Sequence, residues 1–572
     1  MAAGFTAGQA HEQSHLERNR VTTVDPAVNA VGAPPGTAIS IEITSPLDPS
    51  TVDSSRMRVF GRWSGPASGG ITLENGNTRI RFVPEEPFFA GENVTVTLSD
   101  SIRFEDGRVL EGGFAWHFWT ESRPAGLELR EIARVSIRRP GESRIQSYGA
   151  YAGDLNDDGW SDLVIPNEQS GDLRIFINNL GSFDDFNIVP LPFSSVPSTN
   201  EGADFNRDGF VDVAVGSGGN ENVHLALGNG TGALAVGNPL KTEGNVRGLC
   251  VIDIDADGDD DIVTASRTSS SLYLLVNNGD GIFGNRIPLD GHGDAETSCA
   301  VGDANGDGIM DLFVGSLESR HVALLLGNGR GALVLSGRVV VEGRPWMLAA
   351  GDVNLDGFAD VVAAGADGNA VAVILSDGRG LLGEPIAYAS GLFPLAIDLG
   401  DLDGDGDLDM VSSNFQSADF TLFENTGDGT FRRLSSRPAA GAGSCAILHD
   451  RDNDGDLDLT AVDEVDDLLI LFETDALPTG LDGDPAATLA SLQAWPNPFS
   501  GVVSFSVDLR PGAVAELVVH DVLGRRVATV FRGPVRRSHE IRWNPSSLPA
   551  GLYFAALRSE GRTVTASLVL QR

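Results

Sequence analysis

A nine-residue pattern, D-x-[ND]-x-D-G-x-x-D followed by an apolar run, recurs seven times in this chain. The copies begin at Asp154, Asp204, Asp253, Asp303, Asp352, Asp401 and Asp450, and successive copies lie 49 or 50 residues apart. A fixed period of that length restricts the fold more than any other property of the chain, because such a unit cannot bury a core alone and must stack on copies of itself. A second motif keeps register with the first. Twenty-five residues after the first Asp, five copies read "NGTGAL", "NGDGIF", "NGRGAL", "DGRGLL" and "TGDGTF", and the first copy has a shorter "NLGSF". Gly-rich turns of this kind join antiparallel strands.

Each period therefore reads as four strands. In the third copy they are "RGLCVID", "DIVTAS", "SLYLLVN" and "IFGNRIPL". Four short strands per period, with no segment carrying a long 3.6-residue apolar period, predict propeller blades and no helical layer. The seventh copy lacks a fourth strand, since the chain leaves the repeat at "TDALPTG". An orphan strand, "EIARVSIR" at residues 131–138, precedes the first copy by the distance at which a fourth strand normally precedes the next loop. It is expected to supply the outer strand of the last blade, pairing the two ends and leaving no open sheet edge.

Calcium is a hard cation that takes about six to eight oxygens. Carboxylates or amides at positions 1, 3, 5 and 9 aim alternate side chains at one point, Gly at position 6 permits a sharp turn, and position 7 can offer its carbonyl. The first six positions match an EF-hand, but that motif needs a bidentate Glu at position 12 and flanking helices. Position 12 here is Ile165, Val215, Thr264, Val314, Ala363, Ser412 and Ala461. Asp at position 9 closes the site instead. The loops and Gly turns resemble the FG-GAP (VCBS) repeats of integrin α-chain propellers and their bacterial relatives, over residues 128–474. That resemblance implies a seven-bladed β-propeller with about seven Ca²⁺ ions, one in the loop between strands one and two of each blade. Carried over residue by residue, the ligands are Asp154, Asn156, Asp158 and Asp162; Asp204, Asn206, Asp208 and Asp212; Asp253, Asp255, Asp257 and Asp261; Asp303, Asn305, Asp307 and Asp311; Asp352, Asn354, Asp356 and Asp360; Asp401, Asp403, Asp405 and Asp409; and Asp450, Asp452, Asp454 and Asp458. Read only as turns, the loops would not need so many acids packed together. Trp160, Phe210 and Phe358 at position 7 are expected to pack on the neighbouring blade.

The flanks also read as strands. Residues 1–37 are expected to be a disordered tail and 38–123 a β-domain. The segment "PLDPSTV … FVPEEPFFAGENVTVTL … DGRVLEGGFAWHFWT" resembles bacterial Ig-like surface domains, which are usually spacers. Residues 475–490 form a Pro/Gly/Ala/Asp linker, and 491–572 a second small β-domain. Its "WPNPF", "DVLGRRVATV" and "WNPSSLPAGLYF" look like the C-terminal Ig-like sorting domain of type IX secretion cargo. The Ig-like domain of flagellar hook-capping proteins shares the outline, while the terminal "LVLQR" fits the sorting version. The expected fold is all-β: a seven-bladed propeller flanked by two Ig-like β-sandwiches.

Composition sets the limits on function. With 80 acidic and 40 basic residues the formal charge is −40, which disfavours nucleic acid and anionic lipid as partners. No apolar run is long enough to cross a bilayer, and no signal peptide is visible in "MAAGFTAGQA". Cys250, Cys299 and Cys445 are too few for a disulfide framework and read as buried core residues. "HEQSH" (His11–His15) has zinc-binding spacing, but it stands near the terminus with no domain before it and is not taken as a site. No Ser–His nucleophile signature or phosphate loop is found. The reading is a secreted or outer-surface protein of a Gram-negative-type bacterium, handled by a secretion machinery through its C-terminal domain. It would bind an extracellular protein or polysaccharide through the variable loops opposite the calcium loops. The alternatives are a polysaccharide lyase, for which His292, His321 and Arg344 are candidates, and a surface-layer component.

Overall fold

The computed structural model describes residues 21–268, 271–474, 490–495, 499–509, 514–521, 525–534, 539–545, 548–559 and 562–571. Two compact units divide the chain, Met1–Ala476 and Leu477–Arg572.

Within the first unit, seven four-strand blades follow one another from Tyr151 to Glu473 among the described residues. The third blade is typical: Val246–Ile252, Asp261–Ser266, Leu272–Leu275 and Ile287–Leu289 pair antiparallel in chain order. In the second blade the outer strand is broken into Ala235–Val236 and Leu240–Lys241. The second strand of every blade is buried at each of its residues. Both faces of a blade pack on neighbours, so these strands read as continuous runs of small and β-branched residues without a polar alternation. The innermost strands contact one another in sequence, and Gly443–His449 of the last blade meets Tyr151–Gly153 of the first, which closes the ring. The last sheet is completed by Arg130–Ser136, paired from Leu468↔Ser136 to Glu473↔Arg130. The orphan strand thus does close the propeller, and the last blade has four strands like the others.

The Ig-like domain is a sandwich of two four-stranded sheets spanning Val21–Trp119. Strands Ile39–Ile43 and Met57–Gly61 alternate buried and half-buried residues, as a half-covered sheet requires. The core includes Ile41, Phe82, Val96, Trp116 and Phe118. It starts earlier than the sequence suggested: Val21–Asp25 pairs with Ile39–Ile43, so residues 21–37 are part of the sandwich and not a tail. The strand has too few apolar residues to stand out by pattern. Residues 1–20, with His11 and His15, and residues 475–489 of the linker lie outside the described residues.

The second unit has a three-stranded sheet (Ala490–Trp495, Val503–Leu509, His539–Trp543) and a four-stranded sheet (Val514–Asp521, Arg526–Pro534, Gly551–Ser559, Arg562–Leu570). Phe505, Leu517, Val519, Tyr553 and Leu568 form its core.

One cysteine expectation is corrected. Cys250 and Cys299 are not separate thiols but a disulfide, Cα–Cα 6.1 Å, joining the innermost strands of the third and fourth blades. Blades converge at the axis, so similar positions one period apart come within bonding reach. Cys445 is free, and burial pushes its thiol up to about 12.

Candidate metal centre

Backbone conformation shapes the Asp loops first. Gly at position 6 has φ between 75° and 99° in all seven copies, and position 4 is also left-handed, with φ from 56° to 73°. At position 4 three copies place Arg207, Ala256 and Leu355 in a region that costs an L-residue about 1–2 kcal/mol. Alternating hands coil the chain so that positions 1, 3 and 5 turn inward.

Two carboxylates hold that coil. The first Asp accepts the N–H of the sixth residue in every loop, at 2.7–3.1 Å. The ninth accepts the N–H that ends the third strand, from Asn178, Gly228, Asn277, Gly327, Ser376, Asn425 and Thr474, at 2.7–3.2 Å. In six loops its other oxygen accepts the N–H of position 2 at 3.0–3.2 Å. Each carboxylate oxygen has a second lone pair, so these bonds leave capacity for a cation.

The charges are costly as they stand. Burial raises Asp162 and Asp360 to about 8, Asp212 to about 7, and Asp261 and Asp409 to about 9, against the N–H bonds that lower them. Asp311 and Asp458 are also pushed well up, chiefly by burial. At position 1, Asp154, Asp352 and Asp401 rise to about 6 for the same reason, with repulsion from their loop neighbours adding to it.

The seven loops fall into two classes. Asp255, Asp403 and Asp452 hold position 3 in the third, sixth and seventh, and the other four have Asn. The same three loops carry a further Asp at position 7, Asp259, Asp407 and Asp456, where the others have Trp160, Phe210, Ile309 and Phe358. These three acids were not among the expected site residues, although their co-occurrence with Asp at position 3 is legible in the alignment of copies. In the Asn loops, Asn156, Asn206, Asn305 and Asn354 donate to the fifth Asp at 2.9–3.3 Å. In the Asp loops, oxygens of Asp253, Asp255 and Asp261, of Asp401, Asp403 and Asp409, and of Asp450, Asp452 and Asp454 converge within 4.8 Å. Asp253 Oδ1, Asp255 Oδ1 and Asp403 Oδ1 are buried without a hydrogen-bond partner. Buried acceptors facing like charges fit an oxygen-seeking divalent cation.

The glycine turns serve these loops. Gly232, Gly281 and Gly331 donate their N–H to Leu155, Phe205 and Ile254 of the preceding blade at 2.9–3.0 Å. Asn277 and Asn425 Nδ2 make the same inter-blade bond to Phe205 and Val353, and Asn178 makes it across the closure to Arg451 O. Phe358 packs on the preceding blade, where a Cβ at Gly306 would lie 2.7 Å from its ring, and Phe210 packs on Gly230 of its own blade.

The Ig-like domain and the short segment after it cover this face and touch every loop. Trp63 O accepts from Asp154 N. Arg58 donates to Asp204 O and Gly258 O and lies 3.2 Å from Asp260. Ala115 N donates to Gly308 O, and Asn29 Nδ2 to Gly357 O. Ser122 Oγ donates to Asp401 O, and Arg123 to Gly455 O and Asp454 O. Arg62, Trp63, Asn93, His117 and Trp119 also line one end of the central cavity of about 300 Å³.

Strand one of each blade runs toward the covered face, so the residues at its start mark the other mouth. There Trp346 Nε1 donates to Tyr148 OH at 2.8 Å, linking the fifth blade to the first. Phe393 packs on Trp346 and Phe415, and Arg247 and Arg267 stack on Tyr148 and Trp346. His321 is buried at the start of the fourth blade's third strand, and Arg344 pairs with Glu318 and Asp367. With His292, they lie outside the lining of the cavity.

Comparison with known proteins accords with this architecture. FG-GAP-like repeats match residues 154–215, 204–264, 253–314, 303–363, 352–412 and 401–461, each window running from one Asp loop through the next, so that six windows span seven loops. A bacterial Ig-like domain matches 17–120, and a secretion system C-terminal sorting domain matches 493–571. No curated protein matches. Among solved structures, BBS1N in complex with ARL6DN is 14% identical, with a TM-score of 0.44 over 61% of this chain and 98% of that one. An Agrocybe aegerita lectin that recognises non-reducing terminal N-acetylglucosamine is 17% identical, with a TM-score of 0.37 over 73% and 94%. At those scores neither likeness carries an argument. The sorting domain directs the protein by type IX secretion to the cell surface or the extracellular space, and no helix among the described residues is long and apolar enough to cross a membrane. The chain belongs to the FG-GAP-like repeat family, as a propeller whose loop face is covered by its own Ig-like domain.

Proposed function

We propose that this is a calcium-dependent ligand-binding propeller, exported to serve as an adhesion module for a protein or polysaccharide. Calcium is the cation favoured for the Asp loops, because their donors are all oxygen and its coordination geometry is adaptable. The residues that would hold it are those at positions 1, 3, 5 and 9, and bound calcium would neutralise the repulsion among them. At ~1 mM calcium, extracellular-type affinity contributes roughly 0.4–1.4 kcal/mol per site.

The inequality of the two faces carries the ligand reading. One is occupied by the Ig-like domain, which leaves the opposite mouth with a half-buried cluster of Tyr148, Trp346, Phe393 and Phe415 flanked by Arg247 and Arg267. Aromatic planes and guanidinium groups on a rigid rim suit sugar rings and acidic chains. A glycan and protein array probed with the wild type and Trp346→Ala, with and without calcium, tests this. Binding that is lost in Trp346→Ala supports it; binding that survives the substitution unchanged refutes the placement.

A further inference from the structure

Resting on the calcium reading of the loops, we propose that the seventh loop does not take a metal ion: the guanidinium of Arg451 occupies it instead. Position 2 is apolar in the other six loops, as Leu155, Phe205, Ile254, Ala304, Val353 and Leu402. In the seventh it is an arginine that is only 2% exposed. Its Nη2 lies 3.1 Å from Asp458 Oδ2 and 3.9 Å from Asp452 Oδ2, residues at positions 9 and 3 of its own loop.

The acids have rearranged around it. Where the third and sixth loops gather positions 1, 3 and 9, the seventh gathers positions 1, 3 and 5, and Asp458 has left the cluster to face the guanidinium. In the other loops the corresponding Oδ2 accepts the N–H of position 2; here it accepts no hydrogen bond and forms an ion pair with the side chain of that same residue, whose Nη2 also lies 3.9 Å from Glu473 Oε2.

A second departure from the repeat meets the first at this point. Arg451 Nη1 donates to Gly181 O, in the shortened turn of the first blade. Gly181 has φ of 88°, and a Cβ there would lie 2.9 Å from Arg451 Nη1 and 2.6 Å from Asp452 Cβ. The only Gly turn with one residue fewer therefore makes room for the only loop arginine at position 2, at the seam where the first and last blades join. A tethered cation at that seam keeps the ring closed when calcium is scarce, while the other six loops depend on the ion.

Calcium stoichiometry of the full chain, by native mass spectrometry or calorimetry, tests the idea. The wild type should bind six ions, and Arg451→Leu, which restores the residue of the first and sixth loops, should bind seven. Seven ions on the wild type, or six on a folded Arg451→Leu, would overturn it. Anomalous scattering from wild-type crystals grown in calcium needs no variant: peaks belong in loops one to six, with guanidinium density in the seventh, and a metal peak in the seventh loop refutes the proposal. A chain that bound no calcium at all would remove the calcium reading and this inference together, whereas seven ions would remove the inference alone.

Discussion

The two faces of the ring use the repeat in opposite ways. On the loop face the same nine-residue pattern is set down seven times, and its backbone groups bond inside the molecule, to its own carboxylates, to the next blade and to the Ig-like domain, while carboxylate oxygens are left for a cation. On the other face the loops share no comparable motif, and the aromatic cluster of Tyr148, Trp346, Phe393 and Phe415 comes from the first, fifth and sixth blades. Repetition therefore marks what holds the ring together, and irregularity marks what is free to meet a partner. This also bears on the Ig-like domain. Expected as a spacer, it is a cover, which together with the short segment after it contacts each of the seven loops.

The sharpest way to break this comparison is chelation. If the loop face is a cation-held frame, EDTA should remove about 2–8 kcal/mol over six sites and lower Tm markedly, with calcium restoring it. The pH dependence should invert with the metal. In EDTA, carboxylates such as Asp409, raised by burial to about 9, and Asp403, raised to about 6, bind more protons folded than unfolded. The contribution of these groups without metal should then be greatest below their unfolded pKa of 3.8 and be lost as pH rises toward 9. Calcium competes with those protons, so the loaded protein should lose stability on acidification instead. Melts at pH 5, 7 and 8.5 with and without calcium check both signs, and parallel curves would refute the competition.

A single loop acid comes next. Asp409→Ala strands the buried N–H groups of Leu402 and Asn425 and removes one of the proposed metal ligands. About 3 kcal/mol or more should be lost, readable by urea denaturation. A loss below 1 kcal/mol would mean that the ninth Asp is no staple. Smaller still is the cover: Arg58→Ala removes bonds to Asp204 O and Gly258 O and the pair with Asp260, for about 2 kcal/mol. Faster proteolysis of the Ig-like domain, with the propeller intact, is the expected readout.

How much of this was legible follows from the same asymmetry. The blades, the closing strand Arg130–Ser136 and the loop acids could be read because they recur or fill a gap in a recurrence. The disulfide could not, because Cys250 and Cys299 meet only through curvature about the axis. The strand Val21–Asp25 was missed because "VTTVD" has too little apolar pattern. The docking of Arg58 and Arg123 was invisible because isolated arginines in a separate domain carry no spacing signal. Position 7 was legible too: reading it as a carbonyl ligand and as a packing site for Trp160, Phe210 and Phe358 hid that Asp259, Asp407 and Asp456 travel with Asp at position 3.

The smallest expected effect is on the open face, and it decides whether the comparison holds. Trp346 is half-buried and donates one hydrogen bond to Tyr148, so Trp346→Ala removes ring contacts with Phe393 and Arg267 and one polar bond. Solvent already reaches these groups, and Tyr148 OH can turn to water, so the cost should be about 1 kcal/mol and independent of calcium. The cluster would then be a surface held ready by the frame and not part of it. If Trp346→Ala destabilised the chain as much as Asp409→Ala, the Tyr148–Trp346 link would be a structural tie across the channel. The open face would then be doing the work assigned to the loops.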